Sequence, residues 1–161
     1  MNYASIINND VLNGDGFGVT LFVSGCGKNP KCKYCQNQDA WDFNYGKPYT
    51  QETEDYIIRL MSSEHINHLS ILGGEPMDNL EDNTLIKLVN RCSDLFPNKK
   101  IWCWSGYTIE ELINKSRNIN VFLKSIDYLI DGEYDYTKKN LNNKWRNSEN
   151  QRLILTQNIC F

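Results

Sequence analysis

The chain has 161 residues, 40% hydrophobic and 23% charged, a composition that fits a soluble globular protein with enough length for one buried core. A formal net charge of −3 argues against a general nucleic-acid binder, and no apolar run approaches membrane-spanning length. The first residues lack a secretory signal's basic-then-apolar pattern, so the expectation is one cytoplasmic domain, residues 1–161, with its six cysteines reduced.

The opening segment runs into Asn13-Gly14-Asp15-Gly16, a strong turn signal. Val19-Thr20-Leu21-Phe22-Val23 is expected to be a short strand buried in a parallel sheet. Directly after it comes Ser24-Gly25-Cys26-Gly27-Lys28-Asn29-Pro30-Lys31-Cys32-Lys33-Tyr34-Cys35-Gln36-Asn37, a loop with cysteines spaced C-x5-C-x2-C. Thr50 is placed to cap a helix with Glu52, Glu54 and Asp55 early and Tyr56, Ile57, Leu60 and Met61 as its buried stripe. His68-Leu69-Ser70-Ile71-Leu72 is the next strand and stops at Gly73-Gly74-Glu75-Pro76. A second amphipathic helix carries Leu85, Ile86, Val89, Cys92 and Phe96. Ile101-Trp102-Cys103-Trp104 is a third strand ending at Ser105-Gly106-Tyr107. Thr108 and Glu111 then make a capping box for a helix bearing Ile109, Leu112 and Ile113. Tyr128-Leu129-Ile130 is a fourth strand closed by Asp131-Gly132, and Arg152-Leu153-Ile154-Leu155 a fifth, with a long polar loop at 133–150 between them. Repeated strand-loop-helix units set the class as α/β with a mainly parallel, curved sheet. Five strands are too few to close an eight-stranded barrel, so an open, partial (β/α) barrel is expected, with the cysteine loop after its first buried strand.

Three thiolates in one loop can each hold one iron of a four-iron, four-sulfur cluster and leave the fourth iron open. Tetrahedral zinc needs a fourth ligand, and none follows locally; a loop of cysteines that only pack is the bland alternative. In a parallel sheet the strand ends share one edge, which brings Gly73-Gly74-Glu75, Ser105-Gly106-Tyr107 and Asp131-Gly132 toward the cysteines. Paired glycines admit a ligand to the backbone and Glu75 can accept from an ammonium group, although Gly-Gly-Glu-Pro also suits an ordinary strand-to-helix turn. Lys28, Lys31 and Lys33 could tune a cluster or guide an acidic electron donor; solvated loop lysines are the expectation. Cys92, Cys103 and Cys160 are expected to be buried or incidental thiols, and His65 and His68 to pack.

Clustered cysteines with an aromatic residue, Tyr34, just before the last, then Gly-Gly-Glu at the next strand end, resemble the radical S-adenosylmethionine (SAM) enzymes. Their usual spacing is C-x3-C-x2-C; the two extra residues here fall within 27–31. Asn13-Gly14-Asp15-Gly16, Cys35-Gln36-Asn37 with Trp41, the stretch 102–107, Asp131-Gly132 and Trp145-Arg146-Asn147-Ser148-Glu149-Asn150-Gln151-Arg152 run in the order of one subfamily. It is that of the activating proteins of anaerobic (class III) ribonucleoside-triphosphate reductase. Departures are Gly18, where arginine is common, Gln36, where an aromatic or His is usual, and 147–151, where Gly-Ser-Ser-Asn-Gln is usual.

The resemblance implies that Cys26, Cys32 and Cys35 hold a [4Fe-4S] cluster and that SAM chelates its open iron through amine and carboxylate. It implies Glu75, Gly73 and Gly74 beside that amine, Tyr34 near the adenine, Gln36 in the cofactor site, and Ser105 and Asp131 near the ribose and methionine parts. The implied enzyme is a radical SAM oxidoreductase. An electron from a donor such as a flavodoxin would cleave SAM to methionine and a 5′-deoxyadenosyl radical, which takes a hydrogen atom from a glycine of the reductase. The reductase is the implied partner, and the loop 133–150, with Tyr134, Tyr136 and Trp145, a candidate contact. Another small radical SAM enzyme is the nearest alternative, either an activase of a different glycyl-radical protein or one like 7-carboxy-7-deazaguanine synthase. A zinc-stabilised interaction module is the alternative of another class, and it would need Cys92, Cys103, Cys160 or a His near the loop.

Overall fold

The computed structural model describes residues 1–140 and 142–159, and among these, seven strands form one open mixed sheet. In chain order they are β1 (Asn2–Asp10), β2 (Phe17–Val23), β3 (Lys47–Pro48), β4 (Ile66–Gly73), β5 (Lys100–Trp104), β6 (Tyr128–Asp131) and β7 (Arg152–Leu155). Across the sheet the order is β3-β1-β2-β4-β5-β6-β7. The central four, β2, β4, β5 and β6, are parallel; β1, β3 and β7 flank them antiparallel.

Register turns the apolar runs into a core. Leu21 pairs with Ile71, Ile71 with Cys103 and Cys103 with Leu129, so one row of side chains crosses all four central strands on the same face. Onto that face pack α1 (Gln51–Met61), α2 (Thr84–Leu95) and α4 (Arg117–Ser125), through Ile57 and Met61, Leu85, Leu88 and Val89, and Ile119, Phe122 and Leu123. Each fully buried side chain of this size stabilises the fold by about 2 kcal/mol. The neighbouring row, Thr20, Ser70, Trp102 and Tyr128, lies on the opposite face. There Trp102 stacks on Tyr128 at 4.1 Å, and the Thr20 and Ser70 hydroxyls donate to the Asp10 carboxylate and the Asn13 carbonyl at the end of β1 and the turn after it.

The caps form as expected. Thr50 accepts from the Thr53 amide to start α1, and Thr108 and Glu111 close a capping box on the single-turn α3 (Ile109–Leu112). Each cap is worth about 1 kcal/mol. Tyr56 is a correction: it is exposed, and Ile57 and Met61 alone of the expected stripe are fully buried.

Besides the two-residue β3 and the short 3-10 turns, two elements were not expected. β1 is a half-exposed strand whose polar Asn-rich sequence hides its role; the turn at 13–16 folds it back on β2, and that short link dictates antiparallel pairing. α4 is short and starts at Ser116, whose side chain accepts from the Ile119 amide. The α/β class and the open, mainly parallel sheet are as expected; the strand count is corrected from five to seven, with antiparallel flanks. β7 runs antiparallel to β6 because the connection between them contains, among the described residues, no crossover helix and only a 3-10 turn at Tyr136–Lys138. Among the described residues no helix is long and apolar enough to cross a membrane.

Candidate cofactor site

At the carboxyl ends of β2, β4, β5 and β6 lies a cavity of about 130 Å³. Its wall includes Cys26, Cys32, Cys35, Gln36, Gly73, Gly74, Glu75 and Ser105, residues from three separate parts of the chain. Parallel strands bring their ends to one edge, and this is what the edge holds.

The cysteine loop leaves β2 in tight contact with its neighbours. The Gly25 amide donates to the Ala40 carbonyl at 2.8 Å and the Cys26 amide to the Trp41 carbonyl at 3.1 Å. Gly25 has φ +101°, and the Phe43 ring fills the space its Cβ would take. Past Cys32 the chain turns, the Cys35 amide donating to the Cys32 carbonyl at 3.2 Å, and the Asn37 amide points at the Cys35 sulfur at 3.4 Å. Burial pushes the Cys26 thiol up, and the Cys32 thiol up to about 11, so the cofactor-free chain keeps both protonated at neutral pH.

Gly73 and Gly74 line the cavity, but their need for glycine comes from the protein itself. A Cβ on Gly74 would lie 2.3 Å from the Gly25 carbonyl oxygen, and one on Gly73, at φ +118°, would lie 2.5 Å from that of Val23. Without side chains here, the Gly74 amide reaches the Val23 carbonyl at 2.8 Å and the Glu75 amide reaches that of Gly25 at 2.7 Å. These bonds weld the end of β4 to the start of the cysteine loop.

Glu75 is fully buried. Its Oε1 accepts from the Ser105 hydroxyl at 2.8 Å and the Met77 amide at 3.1 Å, and its Oε2 accepts from the Gly106 amide at 2.8 Å. Burial outweighs those three donors, and the carboxyl is pushed up to about 7. Ser105 also accepts from the Tyr107 amide at 3.1 Å, so its hydroxyl is held on Glu75.

Two expected site residues stand off the cavity wall. Tyr34 is 59% exposed, at φ +60°, with its ring edge-on to Tyr136 at 4.5 Å. Asp131 is completely buried, accepting from the Ile109 amide at 2.7 Å and from Arg152 at Nε, 2.9 Å, and Nη2. Arg152 reaches on to Glu110 at 2.7 Å. This network ties β6, α3 and β7 together.

The lysine expectation is corrected at Lys28, whose side chain turns inward onto the cavity wall and is only 12% exposed. Lys31 donates to the Cys26 carbonyl; Lys33 is exposed beside the Tyr34 and Tyr136 rings. Cys92 and Cys103 are buried and do not line the cavity, as expected, and Cys160 falls outside the described residues. His65 meets Asn9 at 2.7 Å on the surface, while His68 is buried against Gly14 and Gly18. The sequence argument missed Trp104, Tyr134, Asn147 and Gln151 as cavity residues, whereas Gly132 arrives where the strand end was expected. For the missed residues the signal was present in the resemblance, since most stand in the stretches 102–107 and 145–152.

Tyr134 and Asn147, from the connection between β6 and β7, complete the cavity wall. Trp145 donates through its indole to the Gly14 carbonyl at 2.9 Å, its own carbonyl accepts from the Trp104 indole at 2.9 Å, and its ring lies 4.8 Å from that of Trp102. Gln151 accepts from the Asn147 and Ser148 amides and donates to the Gly132 carbonyl, closing the base of the loop.

Three thiols round one cavity suit a group in which each thiolate holds a different iron. Among the described residues no three His, Cys, Asp or Glu side chains gather closely enough for a single metal ion. The donor set fits an iron–sulfur cluster, and comparison with known proteins agrees. Residues 12–154 match the family model of a 4Fe-4S single cluster domain. Relatives that extend over almost the whole chain are anaerobic ribonucleoside-triphosphate reductase-activating proteins. That of Vibrio cholerae is 40% identical over 153 residues, 94% of this chain and 96% of the relative. That of Haemophilus influenzae is 38% identical with the same coverage, and that of Pasteurella multocida 35% identical over 94% and 95%. The chain belongs to the family of anaerobic ribonucleoside-triphosphate reductase-activating proteins. No solved structure matches it at a significant level.

Proposed function

We propose that residues 1–161 work as one cytoplasmic radical SAM domain, a partial barrel, that installs a glycyl radical on an anaerobic ribonucleoside-triphosphate reductase. One observation carries the proposal: Cys26, Cys32 and Cys35 share a cavity with Gly73, Gly74, Glu75 and Ser105 in a chain of this family. When bound, a reduced [4Fe-4S] cluster supplies the electron that cleaves SAM and so initiates hydrogen abstraction from the reductase glycine. The electron would come from a small reducing protein such as a flavodoxin.

The chain's own residues bind, orient and shield. The thiols must lose protons to ligate iron, so cluster loading releases protons and is favoured as pH rises. Glu75 uses three of its roughly four acceptor sites on Ser105, Met77 and Gly106, which leaves capacity for the SAM ammonium. A positive group there offsets the burial and draws the carboxyl back toward its ordinary range. Ser105 fixes the Glu75 rotamer, Gln36 faces the same space, and Trp104 and Tyr134 shield it from water. Tyr34 and Asp131 would reach the cofactor only after local movement, and the loop 133–150 would meet the reductase.

Anaerobic reconstitution followed by reduction with SAM and the reductase tests this. The expected result is iron and sulfide in cluster ratio, 5′-deoxyadenosine, and a glycyl radical signal on the reductase, all lost in Cys32→Ala. A colourless chain that takes up zinc and forms no 5′-deoxyadenosine would overturn the proposal. Formation of 5′-deoxyadenosine with no radical on any reductase would move it to another radical SAM reaction.

A further inference from the structure

Residues 27–31, which hold the two residues beyond the usual cysteine spacing, are pinned rather than loose. The Gly27 amide donates to Asp78 Oδ2 at 2.7 Å, and Asp78 is held in turn by Lys115 at 2.9 Å and the Tyr107 hydroxyl at 3.2 Å. Lys28 folds across the end of β5. Its ammonium donates to the Gly106 carbonyl at 2.8 Å, lies 4.7 Å from the Tyr107 ring centre and 3.8 Å from a Glu133 carboxylate oxygen. The stem packs so closely on residue 106 that a Cβ there would be 2.9 Å from Lys28 Cδ. Gly106 is thus a junction: its carbonyl takes Lys28 and its amide holds Glu75. Exposed Lys33 has no such seat.

We propose that Lys28 is a positioning residue, a latch that fastens the segment between Cys26 and Cys32 to Gly106 and fixes one positive charge beside the three sulfurs. The latch belongs to the chain without cofactor; only the effect of the charge rests on the cluster reading above. A buried cation favours the more negative, reduced state of a neighbouring cluster.

The test alkylates the reduced, cofactor-free chain with iodoacetamide and follows each cysteine by mass spectrometry, with circular dichroism as the check on folding. Lys28→Ala is expected to speed modification of Cys26 at least several-fold, while Cys92 and Cys103 stay slow and Lys33→Ala changes nothing. Lys28→Arg should restore protection, because a guanidinium keeps the charge, the donors and the stacking on Tyr107. Gly106→Ala should mimic Lys28→Ala, and the double variant should be no faster than either, since the new methyl occupies the vacated space. After reconstitution, Lys28→Ala should move the reduction potential to more negative values, and by more than Lys33→Ala does. Unchanged Cys26 reactivity in Lys28→Ala, or rates that multiply in the double variant, would overturn the latch. A chain that shows the alkylation pattern but takes up no iron would keep the latch and sink the cluster reading instead.

Discussion

Replacing Glu75 with Gln should remove a pH-dependent share of the cofactor-free chain's stability. The carboxyl is fully buried, and its value rises from an ordinary 4.5 to about 7. A carboxyl raised on folding binds its proton more tightly in the native state. Its contribution is therefore complete below the unfolded value and is lost as pH climbs through the folded one. A rise of that size corresponds to about 3 kcal/mol in full, most of which disappears between pH 5 and pH 8. Gln cannot titrate. Its amide also meets donors at Ser105, Met77 and Gly106, so the variant loses an acceptor at a cost of about 1–3 kcal/mol, the same at every pH. Urea unfolding of both chains, anaerobic and reduced, should show wild type ahead at pH 5 and its lead shrinking by about 2–3 kcal/mol at pH 8. Parallel stability curves would refute the reasoning: the three donors would then outweigh burial, and Glu75 would stay ionised before any ligand arrives.

Gly18→Ala should destabilise by about 2–3 kcal/mol, because the methyl would fall 2.0 Å from His68 Nε2 and the ring is already boxed in by Gly14. His68→Ala in the same chain should recover much of that loss in the urea midpoint; a neutral Gly18→Ala would show that the imidazole moves freely. Asp131→Asn should cost about 2 kcal/mol, below the figure for breaking a fully buried pair because Arg152 is 46% exposed and screened. SAM affinity should fall no further than stability does; a selective loss of SAM binding would put Asp131 in the cofactor contact that the resemblance implies.

The central strands, the caps at Thr50 and Thr108, and the cysteine loop were legible because their signals are local. An apolar run, a hydroxyl three residues before an amide, or three thiols in ten positions needs no knowledge of the rest of the chain. Gly-Gly-Glu was legible as a site, but the reason for its glycines was not. The contact that excludes a Cβ on Gly74 comes from Gly25, on another strand end. Gly18, a departure from its subfamily, makes sense once β2 is set beside β4 and His68 fills the space.

The sequence by itself determined the α/β class, the strand ends that gather at one edge, and the thiols, glycines and carboxyl that meet there. Only the tertiary structure decided that Lys28 turns inward, that Asp131 is taken up by Arg152, that Glu75 sits where burial beats its hydrogen bonds, and that β1 and β7 flank the sheet antiparallel. The physical reason is range. Backbone propensity and capping act over a few residues, whereas burial and side-chain partnership depend on contacts as remote as Trp145 with Gly14, 131 positions apart.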